Sequence, residues 1–377
     1  MTYKEVLFFI GKCLTISNEE KNRLLIEKEL KSEGIDWDYV VETSTAHYVF
    51  PALYCNLKRA NFLHYLPEEL VNYMLHITDL NRERNQQIIA QAKELNELLL
   101  TNNITPTFLK GTGNLLEGLY EDIGERMVGD IDFIFSKEEY PKAIEILTEN
   151  GYSKVHKINY DYPHFRHYSR LQKENRIASI EIHKELIIEK YANEFNYNSI
   201  EKDILLLNGV YVMGYADQLS LSIIAEQIND KGLYFKNIAL RNGYDVFLVS
   251  KKIDAKDTLK RFKKLFHPLN NFLACCYVVF GYIESLEYTK NSETRSYLSS
   301  FEKIIVNDKY REKKYRNTQR MLFVKKRWGI IYKSIFDKNH RDWLFNRITD
   351  KQWRNQKLIQ LGLKKDKTKP LISKSSR

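Results

Sequence analysis

The nine residues GDIDFIFSK, 129–137, constrain this chain more than any other stretch. Side chains alternate along a β-strand, so Asp130 and Asp132 share one face while Ile131, Phe133 and Phe135 take the other. Aspartate is disfavoured in strands, and an unpaired buried charge is costly. Two carboxylates on one face of a core strand therefore need a counter-charge. Phosphoryl transfer supplies one. Mg²⁺ prefers oxygen ligands and is commonly held by one or two carboxylates together with substrate phosphates. Two such ions, about 4 Å apart, can steady both the attacking and the leaving oxygen. The alternative is an acidic pair on a solvated edge strand.

The neighbouring segments favour the metal. ITPTFLK (104–110) has the pattern of a short strand, and GTGNLLEGLY (111–120) that of a turn entering a helix. Lys110, Gly111 and Thr112 thus stand where backbone N–H groups at a helix N-terminus attract phosphate, with the Thr112 hydroxyl and the Lys110 charge to add. KEEYPKAIEILTENGY predicts an amphipathic helix closed at Asn150-Gly151. HFRHYSRLQ and RIASIEIH, separated by KEN, predict an antiparallel pair of strands. In the second of these, Glu181 shares a face with Ser179 and His183 and is the expected third carboxylate ligand; a salt bridge to Arg126 or Arg166 would also account for it. Arg126 lies four residues before Asp130, within reach of the phosphates or the base, and Gly129 joins the expected phosphate-binding group. His183 is expected to orient a ligand or touch the acceptor. Asp161 and His164, in NYDYPHFRH, are candidates for the acceptor pocket, as is Asp245 in GYDVFLV.

Around this core the chain reads as helical. LPEELVNYMLHI, the polar stretch NRERNQQ and IIAQAKELNELLL predict one helix from about residue 67 to 101, ended by Asn102 and Asn103. DILLL-NG-VYVM (203–213) predicts a hairpin, because Asn-Gly suits a two-residue turn. Helix is expected again from 217 to about 300. The expected organisation is a helical region at 1–102, an α+β core with hairpins at 103–215, a second helical region at 216–310, and a basic segment at 311–377 whose last dozen residues are disordered.

Charge divides the same way. Residues 311–377 hold 21 Lys/Arg against 5 Asp/Glu, leaving 38 against 44 in the rest. Basic runs interleaved with Trp328, Trp343 and Trp353 suit RNA, while RMLFVKKRWGIIYKSIF suits an anionic membrane surface; a packed helix with solvated charges is the third reading. The four cysteines, at 13, 55, 275 and 276, have no CxxC spacing, which argues against a cysteine zinc site and fits reduced thiols in the cytoplasm. MTYKEVLFFIGKC lacks the features of a signal peptide, and no apolar run is long enough to span a bilayer.

Taken together, Gly-Thr at a strand-to-helix turn, the GDIDFIF strand and a later strand carboxylate resemble the DNA polymerase β-type nucleotidyltransferase superfamily. FLKG…R…GDIDFIF…ENGY is more closely similar to the bacterial group of uncharacterised nucleotidyltransferases, with TAHYVFPALYCNLKRA and IEIHKEL extending the likeness. The resemblance implies a palm of small mixed sheet and helices, and transfer of a nucleoside monophosphate from an NTP such as ATP with release of pyrophosphate. It implies two Mg²⁺ ions, or Mn²⁺, held by Asp130, Asp132 and Glu181. This chain departs from the pattern in having Gly-Thr at the turn, a longer spacing to Asp130, and glutamate at 181. The acceptor is left open among a small molecule, a glycan precursor, RNA and protein. Two alternatives stand beside this reading: nucleotide addition to a tRNA-like RNA end through the basic segment, and a nucleotide-binding regulator without turnover.

Overall fold

The computed structural model describes residues 1–32, 34–155, 162–163 and 165–360. Asp161, His164 and the expected disordered end lie outside the described residues. The apolar stripes of the first hundred residues form α1 (Tyr3–Cys13), α2 (Glu20–Leu30), α3 (Trp37–Ala46), α4 (Phe50–Arg59) and α5 (Glu68–Thr101). Pro67 is the N-cap of α5 and Asn102 its C-cap, with Asn103 in the left-handed region that ends helices.

The chain then changes period. It forms β1 (Thr107–Phe108), α6 (Lys110–Glu117), β2 (Asp130–Ile134), α7 (Glu139–Glu149), β3 (Ser153–Lys154), β4 (Leu171–Gln172), β5 (Ser179–His183), α8 (Tyr197–Ile200), β6 (Leu205–Leu207) and β7 (Val210–Val212). The seven strands make one mixed sheet in the order β3-β4-β5-β2-β1-β7-β6. The architecture is α+β. β1 is shorter than the 104–110 pattern implied: Pro106 has no N–H to give a ladder, and helix already begins at Lys110. The hairpin at 203–213 forms as expected, with Asn208 and Gly209 both at positive φ (51° and 78°), the geometry of a type I′ turn.

β2 sits mid-sheet, antiparallel to β1 and parallel to β5. Its apolar face buries Ile131 and Phe133, and Phe133 packs edge-on against Phe108 and Phe135. α5 holds the surrounding chain through polar side chains as well as through its buried apolar stripe. Asn81 donates to the carbonyls of Gly124 and Arg126, Asn85 to those of Ile123 and Arg126, and Asn96 to that of Gly209. Gln91 both donates to the Ala178 carbonyl and accepts from its N–H. Part of the polar stretch NRERNQQ is therefore buried, with Asn81 and Asn85 closed off from water, because it satisfies loop backbone that would otherwise be unpaired.

After the sheet come α9 (Tyr215–Ile224), a π-helical turn (Ala225–Asn229), α10 (Gly232–Phe235), α11 (Leu240–Ser250), α12 (Ala255–Leu259), α13 (Phe266–Val279) and α14 (Ser292–Val306). α15 (Asp308–Phe336), α16 (Lys338–Thr349) and α17 (Lys351–Gln360) follow. The chain divides into two compact units, 1–156 with 166–318, and 157–165 with 319–377. All four cysteines are free and buried. Among the described residues, no helix is long and apolar enough to cross a membrane.

In the larger unit, α11 is tied to the loop before β2 by a buried ion pair. Arg126 donates through Nε to Asp245 Oδ1 at 3.0 Å and through Nη2 to Oδ2 at 2.9 Å, and the Tyr120 hydroxyl donates to Oδ1 at 2.7 Å. Replacing Asp245 by alanine would strand a buried guanidinium. The expected loss is about 3–5 kcal/mol, read as a lowered urea midpoint with an unchanged slope. A variant as stable as the wild type would show that the pair does not hold the two elements together.

Candidate active site

The parallel register of β2 and β5 builds the site. Asp130 pairs with Ser179, Asp132 with Glu181, and Ile134 with His183. Asp132 and Glu181 therefore stand side by side on one face, with His183 one step further along β5. One oxygen from each carboxylate and one imidazole nitrogen of His183 lie within 4.8 Å of one another, and all three residues are buried. Asp130 is outside this trio but adjoins it. Arg170, in the segment leading into β4, donates through Nη2 to Asp130 Oδ2 at 2.8 Å and to Glu181 Oε1 at 2.6 Å. The salt bridge considered for Glu181 is thus made by Arg170, not by Arg126 or Arg166.

Lys110 meets Asp132 from the other side, with Nζ 2.6 Å from Oδ1. His183 Nε2 lies 2.8 Å from the same oxygen and 3.3 Å from the lysine. Lys110 reaches this position from a left-handed backbone (φ 52°), a conformation uncommon for a non-glycine residue and one that turns the chain sharply from β1 into α6. Gly111 follows at a close approach: a Cβ there would come within 2.9 Å of the Val128 side chain. The Thr112 hydroxyl donates to the Asp130 carbonyl at 2.9 Å and is buried, so it fixes β2 against α6. Gly129 is exposed beside Asp130, and its carbonyl accepts from Arg84. Arg126 lines the same cleft, with its guanidinium committed to Asp245 and the Met127 carbonyl.

Charge crowding is visible in the ionisation of the group. Burial, then Asp132 and Glu181, push the Asp130 carboxyl up to about 6. Burial works the same way on Asp132, but Lys110 and His183 outweigh it and hold that carboxyl below its usual range. Burial and the adjacent Lys110 depress the His183 imidazole, favouring its neutral, ligating form. His167 pairs with His183 across an isolated bridge, with Nε2 3.9 Å from Glu181. Carboxylate oxygens with one neutral imidazole fit a divalent cation. Lys110 and Arg170 show that this group already draws positive charge from two sides.

The cleft beside the carboxylates, about 140 Å³, is lined by Lys110, Gly111, Asp130 and Asp132 on the sheet side and by Asp230, Arg241 and Asn242 on the helical side. A larger cavity of about 610 Å³, around Lys251, Asp254 and Lys256, contains none of the candidate site residues. The exposed Asp/Lys lining of that second cavity offers no converging chemistry, so the smaller cleft is the candidate site. Arg170, Arg84, Arg166, Asp230 and Arg241 were not placed in a site by sequence reasoning. Arg170 sits eleven positions before Glu181, and only strand pairing joins the two.

The mixed α+β fold and this carboxylate pairing are compatible with a nucleotidyltransferase palm around a site fit for a divalent metal. A comparison with protein-family models matches residues 33–281 to the family described as "Uncharacterised nucleotidyltransferase", and the chain belongs to that family. It is an enzyme that transfers nucleotidyl groups, and a nucleotide is a substrate. Comparisons with curated proteins and with solved structures give no match.

Because Asp130 must be ionised to contribute its charge, Mn²⁺ affinity is expected to rise from pH 5 to 7 and level off above the carboxyl's value of about 6. Protons are released on binding below that point. Titration calorimetry in two buffers would show it, and Asp130→Asn should flatten the rise. An equally steep rise in that variant would assign the proton to another group.

Proposed function

We propose that the protein transfers a nucleoside monophosphate from an NTP to an acceptor hydroxyl, releasing pyrophosphate. The convergence of Asp132, Glu181 and His183 beside the α6 N-terminus, in a member of this family, carries the proposal. Asp130, Asp132 and Glu181, with His183 beside them, would hold Mg²⁺, or Mn²⁺ in its place. Bound there, a divalent ion supplies charge neutralisation and orientation for the phosphates. The chain's own residues do the rest. The N–H groups opening α6 at Gly111 and Thr112 have no partner within the helix and face an incoming phosphate. Lys110 keeps Asp132 ionised, and Arg170 holds Asp130 and Glu181 in one orientation. The acceptor oxygen forms a bond to the α-phosphorus, the bond from that phosphorus to the bridging oxygen breaks, and pyrophosphate leaves. The hydroxyl proton passes to water.

Pyrophosphate release from each NTP with Mg²⁺, in the presence of cell extract as the acceptor source, tests this directly. Asp132→Asn should lower the rate by about a hundredfold to a thousandfold, the several kcal/mol that a positioned metal contributes. Equal release by wild type and variant would remove the carboxylates from the chemistry.

For the basic C-terminal segment we infer an anionic membrane surface rather than RNA. On α15, Met321, Val324, Trp328, Ile331 and Ile335 are exposed at spacings of three and four, which gathers them into one stripe. Arg320 and Arg327 flank it. RNA would leave the aliphatic part of that stripe in water, whereas an interfacial helix buries it. The protein is expected to co-sediment with phosphatidylglycerol vesicles and not with phosphatidylcholine vesicles, and Trp328→Ala should weaken binding about tenfold or more. Tight, salt-sensitive binding to RNA homopolymers without vesicle binding would reverse the assignment.

A further inference from the structure

The helical wall of the cleft carries a cation that no carboxylate among the described residues pairs with directly. Arg241 lies in the first turn of α11, an end that has no side-chain cap. Its Nε is fully buried without a hydrogen-bond partner, and among the described residues no carboxylate comes within salt-bridge reach. The contact recorded for its guanidinium is the face of the Tyr48 ring, 5.0 Å from the centroid. Of the two carboxylates whose charge reaches it, Asp245 is already paired with Arg126, and Asp230, in the same cleft lining, stands beyond salt-bridge distance. Burial, and then the like charge of Arg126, depress the Arg241 pKa against the smaller opposing pull of Asp245, Tyr48 and Asp230. Leaving an arginine so placed is costly unless something completes it.

The sheet wall explains what that something is. An NTP brings an oligophosphate to a cleft in which Lys110 is engaged with Asp132 and the Thr112 hydroxyl with the Asp130 carbonyl. The side-chain donors nearest the carboxylates are therefore engaged within the protein, which leaves the N–H groups of Gly111 and Thr112 to meet a phosphate on that wall. Arg241 lines the same cleft, and Arg166 adds a second guanidinium to it. Planar guanidinium groups match phosphate oxygens in bidentate geometry.

We propose that Arg241, assisted by Arg166, binds the oligophosphate of the donor nucleotide. The inference rests on the nucleotidyl transfer proposed above and adds an anchor from the helical region to the phosphate contact at the glycine turn. A phosphate carried by the acceptor would present the same chemistry, so the test separates the two sources.

Titration calorimetry on the full chain would use tripolyphosphate as the donor probe and ribose 5-phosphate as the monophosphate probe. Arg241→Gln should weaken tripolyphosphate and NTP binding about tenfold to a hundredfold, with Arg241→Lys intermediate, while ribose 5-phosphate binding and Mn²⁺ affinity stay as in the wild type. The melting temperature should not fall, because the substitution removes a half-buried charge that forms no internal ion pair among the described residues; a structural arginine would lower it. Unchanged tripolyphosphate binding in Arg241→Gln overturns the inference, as does a loss confined to ribose 5-phosphate. If Arg241→Gln binds tripolyphosphate normally and wild type still releases pyrophosphate, only the anchoring role fails. If wild type neither binds tripolyphosphate nor releases pyrophosphate, the transfer reading fails with it.

Discussion

The concentration of negative charge at the centre of the sheet is the constraint around which the larger unit is arranged. Asp132 and Glu181 are forced together by a parallel register, with ligand oxygens within 4.8 Å. At an effective dielectric of about 20, two unit charges at that separation repel by roughly 3–4 kcal/mol. The surrounding chain offsets this with cations delivered from different directions. Lys110 arrives from a left-handed turn at the end of β1, and Arg170 from the segment before β4. A divalent ion would take over the same task. The residual imbalance falls on Asp130, whose carboxyl is pushed up to about 6.

Holding that register depends on α5. Its asparagines and Gln91 grip the loop before β2, the start of β5 and the β6–β7 turn through backbone carbonyls. Net side-chain hydrogen bonds are individually small, on the order of 1 kcal/mol. Their value lies in position, because a one-residue slip of β5 would turn Glu181 and its neighbours to the opposite face. The Arg126–Asp245 pair performs the matching task for α11, and so places Arg241 in the cleft.

Much of this frame was legible in the chain. The alternation of GDIDFIF put Asp130 and Asp132 on one face, and IEIH put Glu181 with His183, because strand periodicity is a local property. The Asn208-Gly209 hairpin and the helix ending at Asn150 followed from backbone preferences that need no tertiary context. The helical period over 67–101 predicted α5 to within a residue, but not that Asn81, Asn85 and Gln91 would be buried. A period shows which residues share a face, not what will cover that face.

Sequence alone thus determined the element types, the chemistry of the carboxylate strands and the basic character of the C-terminal segment, since each arises from neighbours along the chain. Tertiary structure decided that β5 runs parallel beside β2, that Arg170 rather than Arg126 or Arg166 meets Glu181, and that Arg241 is left half-buried with no carboxylate among the described residues in salt-bridge reach. Those outcomes depend on distances between residues from eleven to more than a hundred positions apart. Such distances are set by how the sheet and helices pack, and no local pattern encodes them.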